Sequence, residues 1–436
     1  MKESNGQSLL FSSANQRRVE ADFEGGAVSS DGGLLLMREA DRRTGLIDRI
    51  AAHVKDARQP GKVLHEVAEM IRQRTFGVIA GWDDLNDAES LRHDPVHQIA
   101  CGSDKELASA STLCRFENRQ QREMAWAVNR ELVEQFIRSK QKAPASVILD
   151  FDGTDTPIHG NQEGKFFHGY YDCHCFLPLY VFCGDSLLCA YLRRSNIDVA
   201  KHAAAILKLL VLRIRQAWPR TKIVFRGDSG FCRNLILDWC DRHDVKYVVG
   251  IAKNSRLLDL AAMSMSRAKQ EFEKTHKKQR VFTAFDYAAD KWTWVRWVIA
   301  KAEHSENGEN PRFIVTNIVG DSQRIYDRRY CARGEMENRI KEQMMLFADR
   351  VSAHRWWANQ WRILLSAIAY TLMETVRTVA LAGTVLAQAT CATIRTKLIK
   401  IGAVIVSKLT VVRIHLSSHY PLRDLYAQVL SRLVPI

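Results

Sequence analysis

The chain has 436 residues, 46% of them hydrophobic and 26% charged, enough to bury a large core and to form more than one structural unit without disulfide staples. Lysine and arginine outnumber aspartate and glutamate by 63 to 49, a surplus of +14 that favours a polyanionic partner. Residues 1–16 set polar residues around Leu9-Leu10-Phe11, with no charged start, long apolar core or small-residue cleavage site, so no export is expected and the predicted location is cytoplasmic.

The first 140 residues carry helical periodicity: Leu34-Leu35-Leu36, Ile47 and Ile50, then Val63, Val67, Ile71 and Phe76, and later Trp126, Val128, Leu132 and Phe136. Ser29, Ser30 and Asp31, and further on Ser111, stand where helix caps are expected. Beyond Ala143-Pro144-Ala145 the pattern changes to short apolar runs at 147–151, 177–182, 187–192, 223–225 and 247–251. Apolar helices at 203–214 and 235–240 separate some of them, which predicts an α/β core. Residues 280–320, with Trp292, Trp294, Val295 and Trp297, then Phe313-Ile314-Val315 after a turn-rich Gly308-Glu309-Asn310-Pro311, predict a β-rich insertion. A helix is expected over 331–351, and strand-like residues at 403–414.

The longest uncharged stretch, 378–394, is interrupted by Thr, Gly, Gln and Cys. It falls short of the roughly 20 apolar residues a bilayer span needs, so a buried helix and no membrane are expected there. The ten cysteines contain no CxxC pair, as reduced thiols would. On a strand, Cys173 and Cys175 would share one face and His174 the other, so this trio does not close a tetrahedral zinc site without remote partners. From residue 351 to the end, ten lysines and arginines face only Glu374 and Asp424; a solvated basic surface and a nucleic-acid contact are both open on composition alone.

Three acidic positions carry a possible chemistry. Asp150 and Asp152 close the run Val147-Ile148-Leu149 and precede Gly153-Thr154, so a strand would bring both carboxylates to one face near its end. A second apolar run, Ile223-Val224-Phe225, ends in Arg226-Gly227-Asp228-Ser229-Gly230. Such aspartates also commonly cap the next turn. On the later helix, Tyr330, Arg333, Glu337 and Lys341 fall within an arc of roughly 80° at about 100° per residue, which describes either a solvated face or a phosphate-binding one. Convergent carboxylates could hold two magnesium ions about 3.5 to 4 Å apart, and Arg and Lys beside them could hold a phosphodiester.

With these residues in place, the sequence resembles the RNase H-fold DDE transposases of bacterial insertion sequences, across nearly the whole chain. It is most similar to insertion-sequence family thirteen-eighty, within the insertion-sequence-four superfamily. The resembling stretches are Ser29-Ser30-Asp31-Gly32-Gly33-Leu34-Leu35-Leu36, Gly81-Trp82-Asp83-Asp84-Leu85-Asn86-Asp87, Leu91-Arg92-His93-Asp94-Pro95 and the residues from Leu107-Ala108-Ser109 to Arg115-Phe116-Glu117-Asn118. In the core they are Leu149-Asp150-Phe151-Asp152-Gly153-Thr154, Phe225-Arg226-Gly227-Asp228-Ser229-Gly230-Phe231 and Trp356-Trp357-Ala358-Asn359-Gln360.

The resemblance implies an RNase H-like catalytic core with a β-rich insertion, a helical N-terminal DNA-binding domain and a basic C-terminal segment. The implied boundaries are 1–142 for the helical domain, 143–254 and 323–385 for the two parts of the core, 255–322 for the insertion and 386–436 for the basic segment. Asp152, Asp228 and Glu337 become the catalytic and metal-holding acids, with Asp150 the substitute for Asp152. Tyr330 and Arg333 fit the superfamily's helix signature. Met344 occupies its lysine position, and Lys341 lies one turn earlier on nearly the same face.

Implied too are two Mg2+ ions per site, replaceable by Mn2+, with no nucleotide cofactor. The expected partners are double-stranded DNA, as terminal inverted repeats and target, and a second copy of the chain in a homodimeric DNA complex. Cut-and-paste transposition would follow. Trp292, Trp294 and Trp297 could stack on a flipped base or pack in the sheet core. A nuclease without strand transfer and an inactive DNA-binding repressor of the element are the competing readings.

Overall fold

A computed structural model describes residues 9–434. It divides into two compact units, with boundaries after Glu117 and after Ala367; the first unit contains both chain ends and the second the residues between.

The second unit is organised by a nine-stranded mixed sheet. Within it Ser146–Gly153 pairs in parallel with Lys222–Gly227, which in turn pairs in parallel with Lys246–Ile251. On the other side of Ser146–Gly153 the antiparallel strands Leu179–Cys183 and Ser186–Tyr191 complete this half. The apolar runs of the sequence become these strands because both faces of the sheet are covered, which favours continuous hydrophobic stretches over strict alternation. Parallel neighbours need long crossovers, and helices Ala203–Ala217 and Asn234–Arg242 supply them. The first buries Leu207, Leu210, Val211 and Ile214 on one stripe and ends before Pro219, which disfavours a helical conformation in the residue preceding it.

The segment expected as a β-rich insertion opens with a helix, Ser255–Thr275, capped by Asn254, whose side chain accepts from the Leu257 amide at 3.0 Å. Only a narrow stripe, Leu257, Ala261, Met265 and Ala268, is buried, and the charged and polar residues between them hid its period. The strands that follow do not form a sheet of their own. Arg312–Thr316 adds antiparallel to Lys246–Ile251, Arg296–Ser305 to Arg312–Thr316, and Gln279–Tyr287 to Arg296–Ser305.

The helix expected over 331–351 is broken into parts. A wide π-type turn Tyr326–Tyr330 and a tight turn Cys331–Arg333 lead into the helix Gly334–Met345, and Phe347, at a φ of 63°, follows its end.

In the first unit, residues from both ends pack together. Leu35–Thr44, Leu46–Ala51 and Val67–Ala80 are helical as expected, but Leu9–Ala14 and Arg17–Ala21 form an antiparallel hairpin. The strand-like residues near the C-terminus are the hairpin Ala403–Ser407 and Val412–Leu416, to which Val28–Ser29 adds a third strand.

Asp31, expected at a helix cap, makes no capping bond from its side chain. It is buried, and its carboxylate accepts from Lys400 Nζ at 2.7 Å and Trp82 Nε1 at 2.9 Å, with His97 Nε2 also at 2.9 Å. Burial works to raise this carboxyl, but the bonds to His97, Lys400 and Trp82 outweigh it and hold Asp31 well below the usual carboxylate range. Ser111 is inside the helix Ala110–Asn118, and Ser109 accepts from the Thr112 amide instead. Beside Asp31, a Cβ on Gly33 would stand 1.7 Å from the Leu398 carbonyl oxygen, so only glycine fits against the C-terminal segment.

Residues 378–394 are not one buried helix. A π-type turn Val376–Ala380 ends the long helical run, and within residues 381–394 only Cys391–Ile394 is helical. One helical stretch, Trp356–Ala380, is long and apolar enough to cross a membrane by length and composition, and 78% of its apolar window is buried within the protein.

Candidate active site

Along Ser146–Gly153, Leu149 and Phe151 enter the main core cluster, and the Phe151 ring meets Phe225 and Phe231 edge-on at 5.0 and 6.2 Å. Alternation sends Asp150 and Asp152 to the opposite face, where both are nonetheless buried, at 4% and 8% exposure. A buried carboxylate needs a partner, and the two find different ones.

Asp150 lies in register with Arg226 on the neighbouring parallel strand. The guanidinium grips both carboxylate oxygens, the Nη2–Oδ2 bond measuring 2.6 Å. Its remaining donors go to the carbonyls of Arg329 at 2.6 Å and Ala332 at 3.4 Å. Asp150 is therefore committed to a clamp that ties two strands to the turns preceding helix Gly334–Met345.

Asp152 accepts from Arg333 Nη2 at 2.7 Å and from the Gly153 amide at 3.0 Å. Burial pushes its carboxyl up to about 6, with Arg333 opposing the rise and the nearby charge of Asp228 adding to it. Asp228 follows directly on Lys222–Gly227 and caps the short turn Ser229–Phe231, accepting from the Gly230 amide at 2.9 Å. That cap uses Oδ1; Oδ2 accepts no hydrogen bond from the described residues. The capping alternative and the proximity to Asp152 are thus both realised in one side chain.

Arg333 also stands 3.8 Å from Glu337 Oε1, a carboxylate 58% exposed. The guanidinium spans Asp152 and Glu337, which links the strand-end acid to the helix. Among the described residues no three His, Cys, Asp or Glu side chains gather closely enough to hold a metal ion together.

Tyr330 is half-buried against Tyr326, ring centroids 5.5 Å apart. Burial raises its phenol, against the opposing charge of Arg333, so the group stays a protonated donor. Its hydroxyl fits because position 250 is glycine: a Cβ there would lie 2.6 Å from Tyr330 Oη and 2.9 Å from the Ser229 amide. Lys341 is exposed on the helix and Met344 half-buried.

The three tryptophans do not share one surface. Trp292 packs against the main core, edge-on to Tyr287 at 5.6 Å with Arg296 over its ring. Trp297 packs against a second apolar cluster with Val248, Ile299 and Ile314, and Trp294 is 57% exposed.

Sequence reasoning gave no role to Arg226, Gly250 or Tyr171. Arg226 stood inside a quoted motif, where a cation two residues before a strand-end acid is itself a signal. Tyr171, on the turn between Phe166–His168 and Cys173–Phe176, feels the charges of Asp155 and Asp152, though burial is the larger cause of its rise to about 12.

No curated protein sequence matches the chain. Among solved structures, the cryo-EM structure of the piggyBac transposase synaptic complex with hairpin DNA is similar over 85% of this chain and 79% of that one, at a TM-score of 0.43 and 8% identity. The family described as Transposase DDE domain group 1 matches residues 11–436. With that match over almost its full length, the chain belongs to the DDE transposase family.

Proposed function

We propose that the chain moves a bacterial insertion sequence of family thirteen-eighty, in the insertion-sequence-four superfamily, by cut and paste, and that Asp152, Asp228 and Glu337 are its three catalytic acids. The observation that carries this reading is the placement of Asp152 and Asp228 at the ends of neighbouring parallel strands, with Arg333 joining Asp152 to Glu337. The strand order running from Ser186–Tyr191 to Lys246–Ile251, three antiparallel strands followed by two parallel additions, supports an RNase H-like core.

By donor chemistry, though not by their spacing in this structure, the three acids suit a hard divalent cation such as Mg2+ or Mn2+, since carboxylate oxygens are its preferred ligands. Asp152 and Asp228 repel each other, Asp228 keeps an oxygen uncommitted, and a cation, here the Arg333 guanidinium, already compensates them. Asp152, Asp228 and Glu337 would hold two ions, which supply an activated attacking oxygen and a stabilised leaving oxygen. Arg333 presents a fork suited to the non-bridging oxygens of the scissile phosphate. Tyr330 donates its phenolic hydrogen bond beside it, and Lys341 holds the backbone one turn away. The N-terminal helices would read the terminal inverted repeats and the basic C-terminal residues would hold DNA backbone, in a homodimeric complex.

The test is a donor plasmid carrying the element's two ends, incubated with a target plasmid and magnesium. Excised element joined to target through its 3′ ends supports the reading. Cleaved ends that never join would make the protein a nuclease.

A further inference from the structure

Residues before the Glu337 helix line a cavity of about 400 Å3, Ile318, Val319, Asp321, Arg324, Arg328 and Arg329 among them. Three cations and one acid share this space. The acid is spent locally, Asp321 accepting from the Arg324 amide at 2.8 Å as the cap of the short helix Ser322–Ile325. Asp327, the other acid on this segment, faces away to Arg280 at 2.9 Å. Among the described residues the guanidinium groups of Arg324, Arg328 and Arg329 make no ion pair, and all three residues are exposed.

Arg324 and Arg328, four residues apart, are neighbours on a helix surface. On a regular helix Arg328 and Arg329 would diverge by about 100°. The π-type turn Tyr326–Tyr330 changes that spacing, and such widened turns recur at functional sites. The segment is anchored from below, with Ile325 and Tyr326 buried in an apolar cluster and the Arg329 carbonyl held by Arg226. Apolar Ile318 and Val319 also line the cavity. Uncompensated like charges held on a fixed backbone are costly unless an anion joins them, and forked guanidinium groups match phosphate oxygens in two-point fashion.

We propose that Arg324, Arg328 and Arg329 form a phosphate-binding pocket that holds the DNA sugar-phosphate backbone next to the cleavage site. This rests on the transposase reading above, and it adds a binding site distinct from the acids and from Tyr330, Arg333 and Lys341. The pocket holds backbone and reads no base, so it acts equally on any sequence.

The experiment measures affinity for a DNA duplex by fluorescence anisotropy between 50 and 200 mM salt. It compares wild type, the single variant Arg324→Gln and the triple variant Arg324→Gln, Arg328→Gln, Arg329→Gln. All three side chains are exposed, so the fold is kept, and the single variant guards against a fault in the triple one. Three lost phosphate contacts reduce the log-log salt slope by roughly 2.7 and one by roughly 0.9. Wild type then loses roughly fortyfold more affinity than the triple variant across that salt range. Unchanged slopes in both variants would overturn the pocket. Asp228→Asn, run in parallel for cleavage, separates the two ideas: a variant that still cuts defeats the catalytic reading, whereas the salt slope alone decides the pocket.

Discussion

The Arg226 guanidinium holds the Asp150 carboxylate across two parallel strands and, with its remaining donors, the carbonyls of Arg329 and Ala332. One buried cation thereby fixes the distance between the sheet that carries Asp152 and Asp228 and the turns that carry Tyr330 and Arg333. It also makes Asp150 a weaker candidate than Asp152 for a metal ligand: one buried guanidinium grips both Asp150 oxygens, whereas Arg333 meets Asp152 through Oδ2 alone.

Removing Arg226 leaves Asp150 buried and unpaired. Arg226→Ala is expected to lose about 3 to 5 kcal/mol of stability, measured by urea unfolding, together with cleavage activity. Arg226→Lys keeps the charge but not the fork and should recover part of the stability with little of the activity. Wild-type stability in Arg226→Ala would show that the clamp carries no weight.

Arg333 answers to a different readout. Its loss leaves Asp152 facing Asp228 without compensation and, in the function proposed above, takes away a forked donor to the scissile phosphate. Arg333→Ala should slow single-turnover cleavage by about a hundredfold while the thermal midpoint moves only modestly. A rate within twofold of wild type would remove Arg333 from the site.

Gly250 gives a test by crowding. The added Cβ of Gly250→Ala would stand 2.6 Å from the Tyr330 hydroxyl oxygen and 2.9 Å from the Ser229 amide, so this variant should lose about 1 to 3 kcal/mol and displace the Asp228 turn. Combining it with Tyr330→Phe, which deletes the crowded oxygen, should restore part of the loss, giving a non-additive cycle. Strict additivity in chemical denaturation would mean that the two groups do not touch.

Acid sensitivity is expected from Asp31. Its carboxyl is held below its unfolded value of about 4. The contribution is therefore complete above that pH and is lost as pH falls towards the folded value. Asp31→Asn should cost about 3 kcal/mol at neutral pH, because Lys400 loses a buried counter-charge, and the cost should shrink below pH 4. Unfolding curves of both proteins across pH 3 to 7 check the sign; a cost that grows on acidification would contradict it.

Much of the second unit was legible because its strands are unbroken apolar runs. Alternation alone put Asp150 and Asp152 on one face. It could not separate their fates, since the residue that claims Asp150 lies 76 positions away. The helix Ser255–Thr275 escaped because its buried stripe is four small or isolated apolar residues. Asp31 looked like a cap because capping residues and buried hubs share a chemistry; its partners Trp82, His97 and Lys400 come from three distant segments. The tryptophan spacing favours core packing for at least two of the three but does not say where, and Trp292 and Trp297 join different apolar clusters. Arg324 and Arg328 share a face by ordinary four-residue spacing, but Arg329 lies in a π-type turn, which helical periodicity does not anticipate.

The central claim, that Asp152, Asp228 and Glu337 form a metal-dependent cleavage site, is tested most directly on a duplex bearing the element's own end. Strand cleavage is followed with magnesium or manganese for wild type and Asp228→Asn, alongside binding of the same duplex. The account predicts nicking at the repeat boundary that requires the metal and disappears in Asp228→Asn while binding persists. Wild-type binding without cleavage under either metal, or cleavage that survives Asp228→Asn, would contradict it.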